Sequence, residues 1–127
     1  MSPDPEGDLA RLRAICLELP AALERVSHGQ PVFFIGKGRL FAQYWHDHHH
    51  DEASAVMVKT SGREEQEMLI ERDPELYYKP AYIGPAGWIA IRTDTGHTDW
   101  AHIADRVATS WRLVAPRKRF EADVRPE

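Results

Sequence analysis

The chain has 127 residues, one cysteine and a net charge of −4, which suits a single ordinary domain. Its longest apolar runs, residues 32–35 and 55–58, are far shorter than the roughly 20 residues that cross a bilayer, so we expect no membrane partner. The single cysteine excludes an intramolecular disulfide, and no signal-peptide pattern opens the chain, which favours the cytoplasm. The negative charge argues against a protein that coats nucleic acid over its whole surface.

The first predicted element is a helix that follows a polar, proline-containing lead over residues 1–7, which we expect to be disordered. Asp8 is the expected N-cap, and Pro20 stops the helix after Leu19. The apolar positions of this helix share one face: Leu9, Leu12, Cys16 and Leu19. Cys16 is therefore expected to be a small core residue and not a reactive thiol.

Four strand-like segments come next, at residues 23–28, 32–35, 39–45 and 54–60. The short Gly36-Lys37-Gly38 element between the second and third segments predicts a tight hairpin. Residues 46–52, with the sequence HDHHHDE, predict a longer charged turn between the third and fourth. The first half of the chain is therefore expected to form consecutive antiparallel strands.

A second helix is predicted from Ser61 or Gly62 to about residue 72, with Met68 and Leu69 as its most buried side chains. Residues 77–82 are extended but contain Pro80, which allows at best an edge strand. Residues 88–92 predict a short strand. A last helix is expected from residue 98 or 99 to about 115, with apolar residues at helical spacing along one side.

The predicted order is α-β-β-β-β-α-β-β-α, which indicates an α+β fold: a single antiparallel sheet with helices packed on one face. We expect one domain over residues 8–120 and a short tail over 121–127. Five segments match a known family in the family's order: 28–33 (HGQPVF), 38–41 (GRLF), 81–84 (AYIG), 87–89 (GWI) and 110–116 (SWRLVAP). On these segments the chain resembles the MmcQ/YjbR family of small bacterial α+β proteins.

The resemblance implies a sheet-and-helix sandwich likened to frataxin-type proteins and described as a "double wing", for which DNA binding has been suggested. The family has no established reaction, so the resemblance implies a fold and leaves the biochemistry open. It implies no cofactor. It does not cover the histidine-rich turn.

Charge is unevenly distributed along the sequence. Residues 63–75 contain six acids and two bases, whereas residues 76–119 contain seven bases and three acids. Residues 112–119 contain four bases and no acid, more than the dipole of the last helix requires. Guanidinium groups suit phosphate oxygens, although a solvated charge pattern explains the same residues. The candidate phosphate contacts are Lys37, Arg39, Arg112, Arg117, Lys118 and Arg119.

Two other groups of residues suggest ligand binding. In an extended chain His46, His48 and His50 point to one side, and imidazole suits Zn, Ni or Fe, but the spacing matches no established metal motif. His28, Tyr82 and Trp88 could line a small pocket beside a glycine-containing turn, although aromatic residues there are more often core. No catalytic triad, phosphate loop or dinucleotide fingerprint is present.

The leading hypothesis is a non-enzymatic binding module that contacts DNA phosphates with no or weak sequence specificity, as a monomer or weak dimer. A small-molecule or metal-binding protein, which could be an enzyme, is the first alternative. The second is a protein-interaction domain that uses the acidic helix over residues 64–75. Salt dependence, metal affinity and capture by basic partners distinguish the three.

Overall fold

The structure is a computed structural model that describes residues 5–46, 54–81 and 83–115. It contains three α-helices and six strands in the predicted order: α1 (Pro5–Leu17), β1 (Leu23–Ser27), β2 (Gln30–Ile35), β3 (Arg39–His46), β4 (Ser54–Lys59), α2 (Arg63–Arg72), β5 (Tyr77–Tyr78), β6 (Trp88–Arg92) and α3 (Trp100–Val114). A 3₁₀ turn, Gly84–Ala86, precedes β6. The predicted α+β fold with one antiparallel sheet is confirmed.

All six strands form one sheet in the order β1-β2-β3-β4-β6-β5, and every neighbouring pair is antiparallel. Because β6 lies between β4 and β5, the two-residue strand β5 is an edge strand, as its neighbouring proline indicated. β1 forms the opposite edge. The hairpin between β1 and β2 has a two-residue turn in which both His28 and Gly29 have positive φ angles, of 53° and 78°.

The main core lies between the sheet and the three helices. α1 contributes Leu12 and Cys16, α2 contributes Leu69, and α3 contributes a full apolar side. On the opposite face of the sheet a smaller cluster consists of Ala55, Met57, Trp88 and Ala90, with neighbouring strand and loop side chains packed over it. None of the described helices contributes to that second cluster, so we call this side of the sheet the helix-free face.

Two details of the helices differ from the predictions. α1 begins at Pro5, not at Asp8, because proline is well suited to the first helical position. Asp8 is instead buried in the first turn, where its carboxylate accepts a hydrogen bond from the Tyr44 hydroxyl at 3.4 Å. In α2, Leu69 is buried as expected, but Met68 is 51% exposed.

The buried position that was expected for Met68 is taken by Gln66. Its side-chain amide donates hydrogen bonds to the carbonyl oxygens of Gly84, at 2.8 Å, and Trp88, at 2.6 Å. These bonds hold α2 against the segment that leads into β6. A buried polar side chain that is hydrogen-bonded in this way carries little desolvation cost.

A β-bulge interrupts the pairing of β2 with β3. Phe33 pairs with Ala42 and Phe34 pairs with Leu40, so Phe41 is an extra residue in β3. The bulge turns both Phe41 and Ala42 toward the main core, where each is fully buried. Before the bulge, ordinary strand alternation places Arg39 and Leu40 on different faces of the sheet, at the end that meets the last turn of α3.

Candidate functional site: a basic groove at the end of α3

A groove of about 420 Å³ opens where the last turn of α3 meets the ends of β3, β4 and β6. Its volume lies within the range of roughly 300–1,000 Å³ that is typical of small-molecule sites. We call it the α3 groove. Its lining consists of two cationic and four apolar side chains: Arg39, Lys59, Leu40, Trp88, Leu113 and Val114.

Arg39 is the first residue of β3 and reaches the carboxyl end of α3. Its Nη1 donates a hydrogen bond to the carbonyl oxygen of Val114 at 3.2 Å. This carbonyl is one of the helix-terminal acceptors that have no partner within the helix, and the helix dipole there favours a cation. The contact uses one of the five N–H donors of the guanidinium group, so further donors remain for a ligand.

Lys59 is the last residue of β4 and pairs in register with Trp88 of β6. Its backbone N–H donates to the Ser110 hydroxyl of α3 at 2.9 Å, which fixes the strand end under the helix. Within the part of the chain that the structure describes, no carboxylate lies within ion-pair distance of Arg39 or Lys59. Both cations therefore keep their charge available to an anion.

The strands near the groove carry an excess of positive charge. Among the residues of the six strands, Glu24 is the single acid, and it bonds Arg13 of α1 on the helix-covered side at 2.7 and 2.8 Å. Arg25 alternates to the helix-free face, where its guanidinium lies 4.6 Å from the centre of the Phe34 ring. Lys59 belongs to the same face because it lies two positions after Met57.

The other predicted phosphate contacts that the structure describes lie close to this groove in the chain. Lys37 is exposed in the turn between β2 and β3, and Arg112 is exposed in the last turn of α3. Neither has an ion-pair partner within the described segments. Arg117, Lys118 and Arg119 lie outside the described residues. In the sequence these three residues begin three positions after Val114, the last residue of α3.

Sequence reasoning did not find Lys59. Its contribution depends on the register that places the end of β4 beside Trp88 and under Ser110. The alternation of residues 54–59 could have predicted which face of the sheet Lys59 is on. It could not have predicted that this end of β4 lies beside the end of α3.

Two of the three residues predicted to line a small pocket, His28 and Trp88, lie apart in the sheet. His28 lies in the turn that joins Ser27 to Gln30. The Gln30 side chain accepts a hydrogen bond from the backbone N–H of His46, the last residue of β3, so His28 lies at the end of the sheet where β3 ends. Trp88 lies at the other end, opposite Lys59. The antiparallel register separates the two residues, and Tyr82 lies outside the described residues.

The predicted metal site can be followed only at His46. This residue ends β3, and its Nδ1 is 2.6 Å from the hydroxyl oxygen of Ser54, its cross-strand neighbour. His48 and His50 lie outside the described residues. Within the described ranges 5–46, 54–81 and 83–115, no group of three or more histidine, cysteine or acidic residues is placed to hold a metal ion.

A separate polar cluster, also missed by sequence reasoning, joins β5 to α3 and α2. The Tyr77 hydroxyl and the Nε2 of His102 form a hydrogen bond, and burial raises the pKa of Tyr77, which keeps its hydroxyl protonated. One turn along α3, the Arg106 guanidinium contacts a carboxylate oxygen of Glu65 at 3.3 Å. These contacts fix α2 against α3, and the cluster lies apart from the residues that line the groove.

The YjbR family model matches residues 17–113, well over half of the chain. The chain belongs to the YjbR family. No curated protein matches it closely enough to count as a relative. Its fold is similar to the crystal structure of Deinococcus radiodurans protein DR2400, with its DUF419 domain, an earlier name of the same family. The TM-score is 0.71 at 23% identity, over 87% of this chain and 80% of that chain, which supports the fold alone.

The residues on which the YjbR resemblance rests have structural roles in this chain. The buried Ser110 hydroxyl donates to the Phe41 carbonyl at 2.6 Å and so binds α3 to the β3 bulge. The Trp111 indole N–H donates to the Pro20 carbonyl at 3.0 Å, which closes the loop after α1. Within the last YjbR segment, Ser110 and Trp111 thus fix α3 to the sheet and to the loop after α1.

No helix in the described part of the YjbR chain has the length and apolar character needed to cross a membrane.

Proposed function

We propose that this YjbR-family protein is a non-enzymatic module that binds the phosphate backbone of DNA at the α3 groove. The observation that carries the proposal is that Arg39 and Lys59 line one groove beside the last turn of α3. Among the described residues, neither side chain forms an ion pair with a carboxylate. Guanidinium and ammonium groups are the side chains that neutralise phosphates.

Two features of the surroundings support a polyanion over a single small anion. Two further exposed cations lie next to groove residues in the sequence. Lys37 is two residues before Arg39, and Arg112 is two residues before Val114. The basic segment Arg117–Lys118–Arg119 begins three residues after the end of α3 in the sequence. Several cations close together in the chain suit a ligand with repeated phosphates.

The test is fluorescence anisotropy of a labelled duplex of about 20 base pairs, titrated with the protein at several salt concentrations. Each phosphate neutralised contributes about 0.9 to the slope of log affinity against log salt. Arg39→Ala combined with Lys59→Ala should weaken binding by roughly tenfold or more at low salt. The same double variant should reduce the slope by about 0.9 for each phosphate that is no longer neutralised.

The matched control is Arg63→Ala combined with Arg72→Ala, which removes the same charge from α2. Arg63 and Arg72 are exposed, and Arg63 is paired with Glu67. This variant should bind nearly as well as the wild type. Equal losses in the two double variants, a flat salt profile, or a failure of both the duplex and a single strand of the same length to bind at tens of micromolar protein in low salt would each contradict the proposal.

A further inference from the structure

The α3 groove contains an apolar side that phosphate binding does not explain. Leu113 is 45% exposed in the last turn of α3, in the same groove as Arg39 and Lys59. Leu40 is half-buried beside it, and Trp88, 6% exposed, completes the apolar lining. Phosphate oxygens gain nothing from leucine side chains or from the carbon face of an indole ring, so these surfaces indicate a ligand that also has an apolar or flat part.

A DNA duplex does not provide such a part at a concave site. Its bases are stacked inside, and a protein reaches their edges by inserting a protruding helix or ribbon into a groove of the DNA. The apolar side chains of the α3 groove line a recess, so they are not on a protruding element of that kind. A recess of about 420 Å³ can instead receive a group that projects from the ligand, and an unpaired base is such a group.

The surface beyond the groove continues with the same combination of charge and flat groups. Phe34 pairs with Leu40 across the sheet and is half-buried on the helix-free face. The Arg25 guanidinium lies over its ring. Aromatic rings and guanidinium planes are the surfaces on which the bases of single strands stack, while neighbouring cations follow the backbone.

We propose that the α3 groove is selective for single-stranded nucleic acid, with one unpaired base held between Leu113, Leu40 and Trp88 while Arg39 and Lys59 contact its phosphates. This inference rests on the proposed phosphate-binding function and adds the strand state of the ligand. Arg25 and Phe34 receive a neighbouring nucleotide of the same strand.

The test compares three labelled 20-mers by fluorescence anisotropy with the full chain at one fixed low salt concentration. They are oligo(dT), a strand of the same length in which every position is abasic, and a duplex. The abasic strand keeps the backbone charge of oligo(dT) and lacks only the bases. We expect oligo(dT) to bind at least about fivefold more tightly than the abasic strand, the lower end of what base stacking contributes.

The variant for this test is Leu113→Ala, and its matched control is Leu17→Ala on α1, where Leu17 is 44% exposed. Leu113→Ala should reduce the preference for oligo(dT) over the abasic strand and leave abasic-strand affinity unchanged. Leu17→Ala should change neither. Retention of the full preference by Leu113→Ala would overturn the assignment of the base to this groove.

The outcomes separate this inference from the proposal on which it rests. Salt-sensitive binding that is equal for oligo(dT), the abasic strand and the duplex would overturn single-strand selectivity and leave phosphate binding intact. Tighter binding of the duplex than of oligo(dT) would also overturn single-strand selectivity and leave phosphate binding intact. Failure of all three to bind would overturn both. The affinity of an oligo(rU) strand, measured in the same way, shows whether the protein distinguishes ribose from deoxyribose. Weaker binding of oligo(rU) than of oligo(dT) would assign the groove to DNA.

Discussion

Ser110 shows how much a single side chain decides in this fold. Its hydroxyl is fully buried, donates to the Phe41 carbonyl at 2.6 Å and accepts from the Lys59 backbone N–H at 2.9 Å. Both partners are backbone groups: the Phe41 carbonyl lies at the β3 bulge, and the Lys59 N–H lies at the end of β4. One hydroxyl thus joins the helix to two strands and holds Lys59 at the α3 groove.

The first prediction follows from that geometry. Ser110→Ala leaves a buried carbonyl and a buried N–H without a partner, so the free energy of unfolding should fall by about 1–3 kcal/mol. Urea unfolding followed by tryptophan fluorescence measures the change. Thr109→Ala is the control, since the Thr109 hydroxyl bonds only the Asp105 carbonyl within the same helix, and its effect should stay within about 0.5 kcal/mol. Similar values for the two variants would contradict this role of Ser110.

At the scale of elements, α2 is fixed to α3 by a carboxylate. Glu65 accepts a hydrogen bond from the Ser61 backbone N–H at 2.7 Å and contacts the Arg106 guanidinium at 3.3 Å. The Ser61 backbone N–H lowers the pKa of Glu65 despite its partial burial, and the Ser61 side chain and then the Arg106 guanidinium lower it further. Its folded-state pKa is therefore below its unfolded value. The stabilisation is present above the unfolded pKa and is lost as pH falls through the folded pKa.

The second prediction concerns this pH dependence. Glu65→Gln should lower the free energy of unfolding by about 1 kcal/mol at pH 7, because it removes the charge and retains the shape. The difference from wild type should shrink as pH falls below the ordinary glutamate value of about 4.3. Urea unfolding at a series of pH values measures it. Glu67→Gln is the control, since its pair with Arg63 is exposed and should contribute little at any pH.

A constant difference between wild type and Glu65→Gln from pH 7 down to pH 3 would show that the carboxylate charge is not what stabilises the α2–α3 contact. A loss of unfolding free energy in Glu67→Gln as large as that in Glu65→Gln would also contradict a specific role of the Glu65 carboxylate in the α2–α3 contact.

At the scale of the whole molecule, α1, the sheet and α3 share one main core. Cys16 lies in it, fully buried between elements from both ends of the chain. Burial, followed by the negative charge of Glu24, raises the pKa of the thiol well above its usual range. The folded protein therefore presents neither an accessible thiol nor a thiolate.

The third prediction uses Cys16 as a probe of cooperativity. Its labelling by a disulfide reagent at pH 8 should occur only through global unfolding, so the opening free energy from labelling rates should equal that from urea denaturation. Leu17→Cys provides the control, since it adds a thiol at an exposed position and that second thiol should react at once. A labelling free energy well below the global value would mean that α1 detaches alone.

The sequence by itself determined the order of elements, the class of fold and the apolar faces of the first and last helices. Hydrophobic periodicity and turn residues act locally, and for that reason Trp100–Val114 and Trp88–Arg92 could be predicted almost to the residue. Boundaries set by a tertiary contact were missed. Asp8 is buried beside Tyr44, and Gln66 takes the place expected for Met68 because two distant carbonyls accept from it.

The tertiary structure alone decided which candidate residues meet. Antiparallel register placed His28 and Trp88 at opposite ends of the sheet, and the position of β6 between β4 and β5 brought Lys59 beside Trp88. The docking of α3 through Ser110 then added Arg39, Leu113 and Val114 to the same groove. Strand register and helix docking depend on pairings between residues far apart in the chain, which local periodicity does not contain.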